Sequence, residues 1–178
     1  MIVYRDLLSG DEMLSDAYKL FDVVDDAGNK VEGLMYCESK QISKAGGDVD
    51  IGCGNSFGGG DEDAGVDNTA EMVNNVIDSF QYTETQIGTA MDFKSWIKEY
   101  MNALVLKLRE SGTPKEEIQA FKASAPGIAT FFLKKFSEVQ FYLGPSFNPE
   151  SMVFSIYPDG ATCPNFYFIM AGLKQEKF

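Results

Sequence analysis

Residues 48–67 read DVDIGCGNSFGGGDEDAGVD, with six carboxylates and no basic side chain. Glycines beside carboxylates could cradle a phosphate or hold a cation. The phosphate reading fails on spacing. A dinucleotide loop needs G-x-G-x-x-G, and here Gly52 and Gly54 are followed by Phe57 where the third glycine belongs. No G-K-[ST] occurs, and the acidic tail repels phosphate. The cation reading is better. Asp61 and Asp63 alternate as calcium ligands do, although Gly65 and Val66 occupy the fifth and sixth places of an EF-hand count from Asp61. An irregular site would use Asn55, Asp61, Asp63 and Asp67. Ordering such a loop costs about 1–2 kcal/mol per residue, so calcium binding should be weak, in the range of about 10⁻⁴–10⁻³ M. The alternative is a solvated acidic loop with no specific metal.

Other chemistry is narrowed by what the chain lacks. It has no histidine, which excludes Ser-His-Asp, Cys-His and His-metal sites together. Cys37, Cys53 and Cys163 are far apart with no C-x-x-C pair, so neither a disulfide framework nor structural zinc is expected. Fifteen Lys and Arg against 27 Asp and Glu give a net charge of −12. That field disfavours nucleic acid and anionic lipid, and favours cations or basic protein surfaces. Against this background Lys94, Lys98, Lys107, Arg109 and Lys115 form a cationic island. It could meet an acidic partner, or be the solvent face of an amphipathic helix. The opening MIVYRDLLSGDE has no signal-peptide core and no later run approaches a membrane span, so a cytoplasmic protein is expected.

The elements that would carry these residues follow from periodicity. Residues 18–38 read as a β-hairpin turning at DDAGN, and MIVYRDLL as a further strand. Residues 46–65 hold eight of the 17 glycines, which predicts a flexible acidic loop at about 43–67. Residues 92–110 place Phe93, Trp96, Ile97, Tyr100, Met101, Leu104 and Leu108 at helical spacing. A second helix is expected to start at TPKEE, with Thr113 as cap, Pro114 in the first turn and Glu116 completing a capping box. Ile118, Phe121, Ile128, Phe132 and Phe136 would form its buried face, and Pro126-Gly127 should kink or break it. The ESGT link makes the pair an antiparallel hairpin over about 92–136. VQFYLG, SMVFSIY and NFYFIMAGL then return to strands. Strands flanking a helical hairpin indicate an α+β domain of mainly antiparallel strands over residues 1–178.

MIVYRDLLSGDEMLSD, VEGLMY, IGCGNS, WIKEYM, VQFYLG, NPESMVF, YPDG and AGLKQEK occur in the order of the translationally controlled tumour protein family, and the chain resembles that family along essentially its whole length. The resemblance implies a β-tent fold with a long α-helical hairpin and a flexible acidic loop. It implies a cytosolic regulatory protein rather than an enzyme, requiring no cofactor and associated with calcium, tubulin and microtubules, growth control and anti-apoptotic partners. The family's tubulin-binding region corresponds to the hairpin and so to its five basic residues. Family members are also linked to small GTPases, as exchange factors or dissociation inhibitors, through a glutamate corresponding to Glu12. The family's loop motif falls on Ile51, Gly52, Gly54 and Asn55, with Cys53 in place of a usual glycine. Pro145 stands where the family commonly has glutamate. A different class, a thiol-dependent enzyme resembling methionine sulfoxide reductases, would need a reactive cysteine.

Overall fold

The computed structural model describes residues 1–43 and 72–177. In chain order the elements are β1 (Ile2–Asp6), β2 (Glu12–Ser15), β3 (Phe21–Val24), β4 (Lys30–Cys37), β5 (Gln41–Ser43) and β6 (Met72–Asn74). There follow α1 (Asn75–Phe80), β7 (Thr83–Thr85), α2 (Ala90–Glu110) and α3 (Lys115–Lys134). The chain closes with β8 (Gln140–Leu143), β9 (Val153–Ile156), β10 (Asn165–Ile169) and β11 (Leu173–Lys177). The expected α+β class holds: the strand pairings are antiparallel throughout the described residues.

A six-stranded sheet, ordered β3-β4-β10-β9-β8-β7, is the centre of the fold. Successive residues of β10 point to opposite faces, as a pleated strand requires. Phe166 and Phe168 join Leu14, Cys37, Val76, Phe80 and Tyr82 on one side. Tyr167 and Ile169 join the residues beneath α2 and α3 on the other. There Phe93 and Phe132 are fully buried, and the rings of Phe132 and Phe154 lie 4.5 Å apart. A second sheet, β11-β1-β2, joins the two ends of the described chain, and β5 pairs with β6.

Local chemistry explains the β3–β4 hairpin. One carboxylate oxygen of Asp25 accepts from the amides of Ala27 and Asn29, both at 2.9 Å, and Gly28 takes φ +87°. In β4, Gly33 has φ +84°, and a Cβ there would lie 3.1 Å from the hydroxyl of Ser124 on α3. Glycine at this position is what allows the helix to lie against the strand.

α2 begins at Thr89, whose hydroxyl accepts from the amide of Asp92 at 3.1 Å. Asp92 in its first turn, and Lys107 and Arg109 in its last, complement the helix dipole. Its buried face is Phe93, Ile97, Tyr100, Leu104 and Leu108, with Trp96 and Met101 half-buried.

Four expectations need correction. Thr113 does not cap α3; Pro114 occupies that position with no side-chain cap. The amide of Thr113 donates to the Leu108 carbonyl at 3.1 Å, which binds this residue to the end of α2. Pro126-Gly127 does not break α3, which runs through Pro126. An interior proline costs about 3 kcal/mol, whereas burying each of Ile128, Phe131 and Phe132 contributes roughly 1.5–3 kcal/mol. Packing of the second half against the sheet therefore outweighs the proline. Phe136 lies beyond α3 in a 3₁₀ turn, Phe136–Glu138, against Phe93 and Phe141. Ser43 belongs to β5, paired with Met72, rather than to a loop. The rest of the acidic stretch expected at 43–67 lies outside the described residues.

Candidate functional site

Asn55, Asp61, Asp63 and Asp67 lie outside the described residues, as do Ile51, Gly52, Cys53 and Gly54. Among the described residues no group of three or more cysteine, aspartate or glutamate side chains is placed to hold a metal ion. Cys37 is fully buried, and burial pushes its thiol up to about 12. A thiol held protonated is a poor nucleophile, so this cysteine gives the reductase reading no support. Cys163 is half-buried.

Glu12 is the first residue of β2, beside a turn held from several directions. Arg5 faces it across the β1–β2 register and donates from Nη2 to Glu12 Oε1 at 3.1 Å. The same guanidinium donates from Nε to Glu176 at 2.6 Å and from Nη1 to the Gly10 carbonyl at 3.2 Å. Arg5 thus clasps three strands, and the hydrogen bond to Glu176 raises its already high pKa despite some desolvation. The Glu12 side chain stays half exposed. Beneath the turn the buried carboxylate of Asp6 accepts from the amides of Leu8 and Ser9, at 3.0 and 2.6 Å, and from the Ser151 hydroxyl at 2.7 Å. Asp11 accepts from the amide and hydroxyl of Ser146, at 3.2 and 2.7 Å. A Cβ at Gly144 would fall 2.6 Å from the Asp11 carboxylate, so only glycine admits this contact. Pro145 is exposed on the same loop, followed by exposed Phe147 at φ +58°.

The five hairpin cations separate into two groups. Lys94, Lys98 and Arg109 border a groove lined entirely by α2 and α3, and Lys122 of α3 joins them. Lys107 opens instead to a cavity near Thr113, Glu117 and Lys174. Lys115 is exposed in the first turn of α3 and lines neither space. Among the described residues, four cations and no anion line the groove. Among the described residues none of the four forms an ion pair. The groove floor is apolar, with Ile97 and Phe121 buried, Met101, Val105 and Leu133 half-buried, and Leu106 57% exposed at the lip.

Sequence reading missed Asp6, Asp11 and Lys122. An aspartate two or three residues before a Ser-Gly pair is a turn signal, and it was available for Asp6 in RDLLSG. Asp11 meets a segment 135 residues away, which no local pattern reveals. Lys122 belongs to the groove only because α3 folds back against α2.

No helix among the described residues is long and apolar enough to cross a membrane. The family described as translationally controlled tumour protein matches residues 1–174. The chain is also similar to a solved structure, the translationally controlled tumor-associated protein p23fyp from Schizosaccharomyces pombe. They share 34% identity and a TM-score of 0.72, with 100% of each chain covered. A translationally-controlled tumor protein from Caenorhabditis elegans, at 20% identity, shares the fold with a TM-score of 0.62, covering 100% of this chain and 99% of its own. With its antiparallel sheets, helical hairpin and end-to-end match, the chain belongs to the translationally controlled tumour protein family.

Proposed function

We propose that this chain is a cytoplasmic, non-enzymatic regulatory protein of a single domain, whose helical hairpin docks acidic protein partners, tubulin and microtubules among them. Its effects on growth and cell survival arise through such contacts, anti-apoptotic proteins included. No cofactor is required, and calcium binds weakly at Asn55, Asp61, Asp63 and Asp67. One observation carries the reading: Lys94, Lys98 and Arg109 converge on one groove without a carboxylate partner among the described residues, on a chain of net charge −12. Ion pairs within the fold would have satisfied them, and an acidic surface outside it can do so instead. The test is microtubule co-sedimentation of the double variant Lys94→Glu, Lys98→Glu. A fall of about tenfold or more in affinity is expected, and unchanged binding would refute the reading.

A second reading, regulation of a small GTPase as exchange factor or dissociation inhibitor, is favoured by Glu12. Its carboxylate is half exposed and held in place by Arg5, so a partner's basic group would meet a preorganised charge. Glu12→Val should weaken a partner GTPase by about tenfold or more. Nucleotide-release rates separate exchange from plain binding, and equal affinity removes Glu12 from the interface.

A further inference from the structure

The groove between α2 and α3 has a shape and lining more specific than an attraction for negative charge. From Lys94 to Arg109 it follows α2 over sixteen residues, roughly 22 Å at a rise of 1.5 Å from each to the next. That is the length of about four helical turns. Its floor is apolar, with Met101 and Val105 from α2 and Leu133 from α3, and Leu106 stands at the lip largely uncovered. On α3 the floor includes Ala125 and Ala129, whose small side chains let another backbone approach closely. The trough between two antiparallel helices is where a third helix seats its side-chain ridges.

Resting on the reading of the hairpin as a docking surface, the geometry points to an acidic amphipathic α-helix of a protein partner as the groove's occupant. Apolar residues spaced i, i+3 or i+4, and i+7 meet Met101, Val105, Leu106 and Leu133, and flanking Asp or Glu meet Lys94, Lys98, Arg109 and Lys122. The charges select against the other candidates. A second copy of this chain presenting the same face would bring two cationic rims together. An anionic membrane would meet a body of net charge −12. An acidic disordered tail pairs with the rim and leaves the apolar floor in water.

The test uses the full-length protein and a fluorescein-labelled, lactam-stapled 18-residue peptide of Leu, Ala and Glu, with leucines on one face. A scrambled peptide of the same composition and an all-polar acidic peptide serve as controls. Micromolar binding of the amphipathic peptide is expected, with both controls at least about tenfold weaker. Leu106→Glu and Lys98→Glu should each weaken it by about tenfold, Leu106→Gln by less, and Lys115→Glu should leave it unchanged. Thermal midpoints should agree across these variants, since all three sites are exposed. Equal binding of the all-polar peptide, or indifference to Leu106→Glu, overturns the helix assignment, as does failure of every peptide to bind. Sedimentation with phosphatidylserine vesicles that requires Leu106, without peptide binding, also overturns it. Microtubule binding sensitive to Lys98→Glu but not Leu106→Glu would keep the docking reading and remove this one. Peptide binding without microtubule binding would keep the helix assignment and remove tubulin as the hairpin's partner.

Discussion

Asp6 and Glu12 stand six residues apart around one turn and do opposite work. Asp6 is buried and accepts three hydrogen bonds, so Asp6→Ala strands two amides and a hydroxyl. We expect it to lower unfolding free energy by about 2–4 kcal/mol, measured by urea denaturation. Glu12 takes part in a surface pair, and Glu12→Val should change stability by less than about 1 kcal/mol. A large loss there would make Glu12 structural rather than a docking residue. Cys37 offers a third test. Its thiol is raised from 9.0 to about 12 by burial, so above pH 9 the unfolded chain releases a proton that the folded chain keeps. Stability should therefore fall as pH rises from 9 toward 12, with this group contributing at most about 1.4 kcal/mol per pH unit. Cys37→Ala should flatten that slope. In the native protein Ellman's reagent should modify Cys163 well before Cys37, and equal rates would contradict the burial.

At the scale of elements, the hairpin was readable because α2 repeats its apolar residues at three and four, and each of Phe93, Ile97, Tyr100, Leu104 and Leu108 is indeed buried. The turn at Asp25–Asn29 was readable for a local reason, since the Asp25 carboxylate organises its own loop. Where several forces compete, local rules lost. Thr113 has the chemistry of a cap, but the end of α2 claims its backbone first. Pro126 is a helix breaker whose effect is overcome by Ile128, Phe131 and Phe132 packing on the sheet. Pro126→Ala should consequently stabilise the protein, by up to about 3 kcal/mol, visible as a higher thermal midpoint. A lower midpoint would mean that the proline is required where it stands. β6, α1 and β7 are short, and their only sequence trace was an apolar-polar mixture between the acidic segment and α2.

For the whole molecule, the distribution of charge carries the argument. A strongly acidic chain has drawn four cations to one apolar groove and left them without internal partners among the described residues. The candidate site was half legible: Lys94, Lys98 and Arg109 are spaced along one helix, whereas Lys122 and the apolar floor appear only when α3 folds back. Binding through this rim should weaken as salt rises, because exposed charges are screened over about 8 Å at physiological ionic strength. The most direct measurement is a methyl NMR titration of the labelled protein with tubulin dimer. The signals of Met101, Val105, Leu106 and Leu133 should broaden first, while Met13, beneath the Glu12 turn, keeps its intensity. Loss of the Met13 signal with the four groove methyls unchanged would contradict the account and move the docking surface to the N-terminal turn.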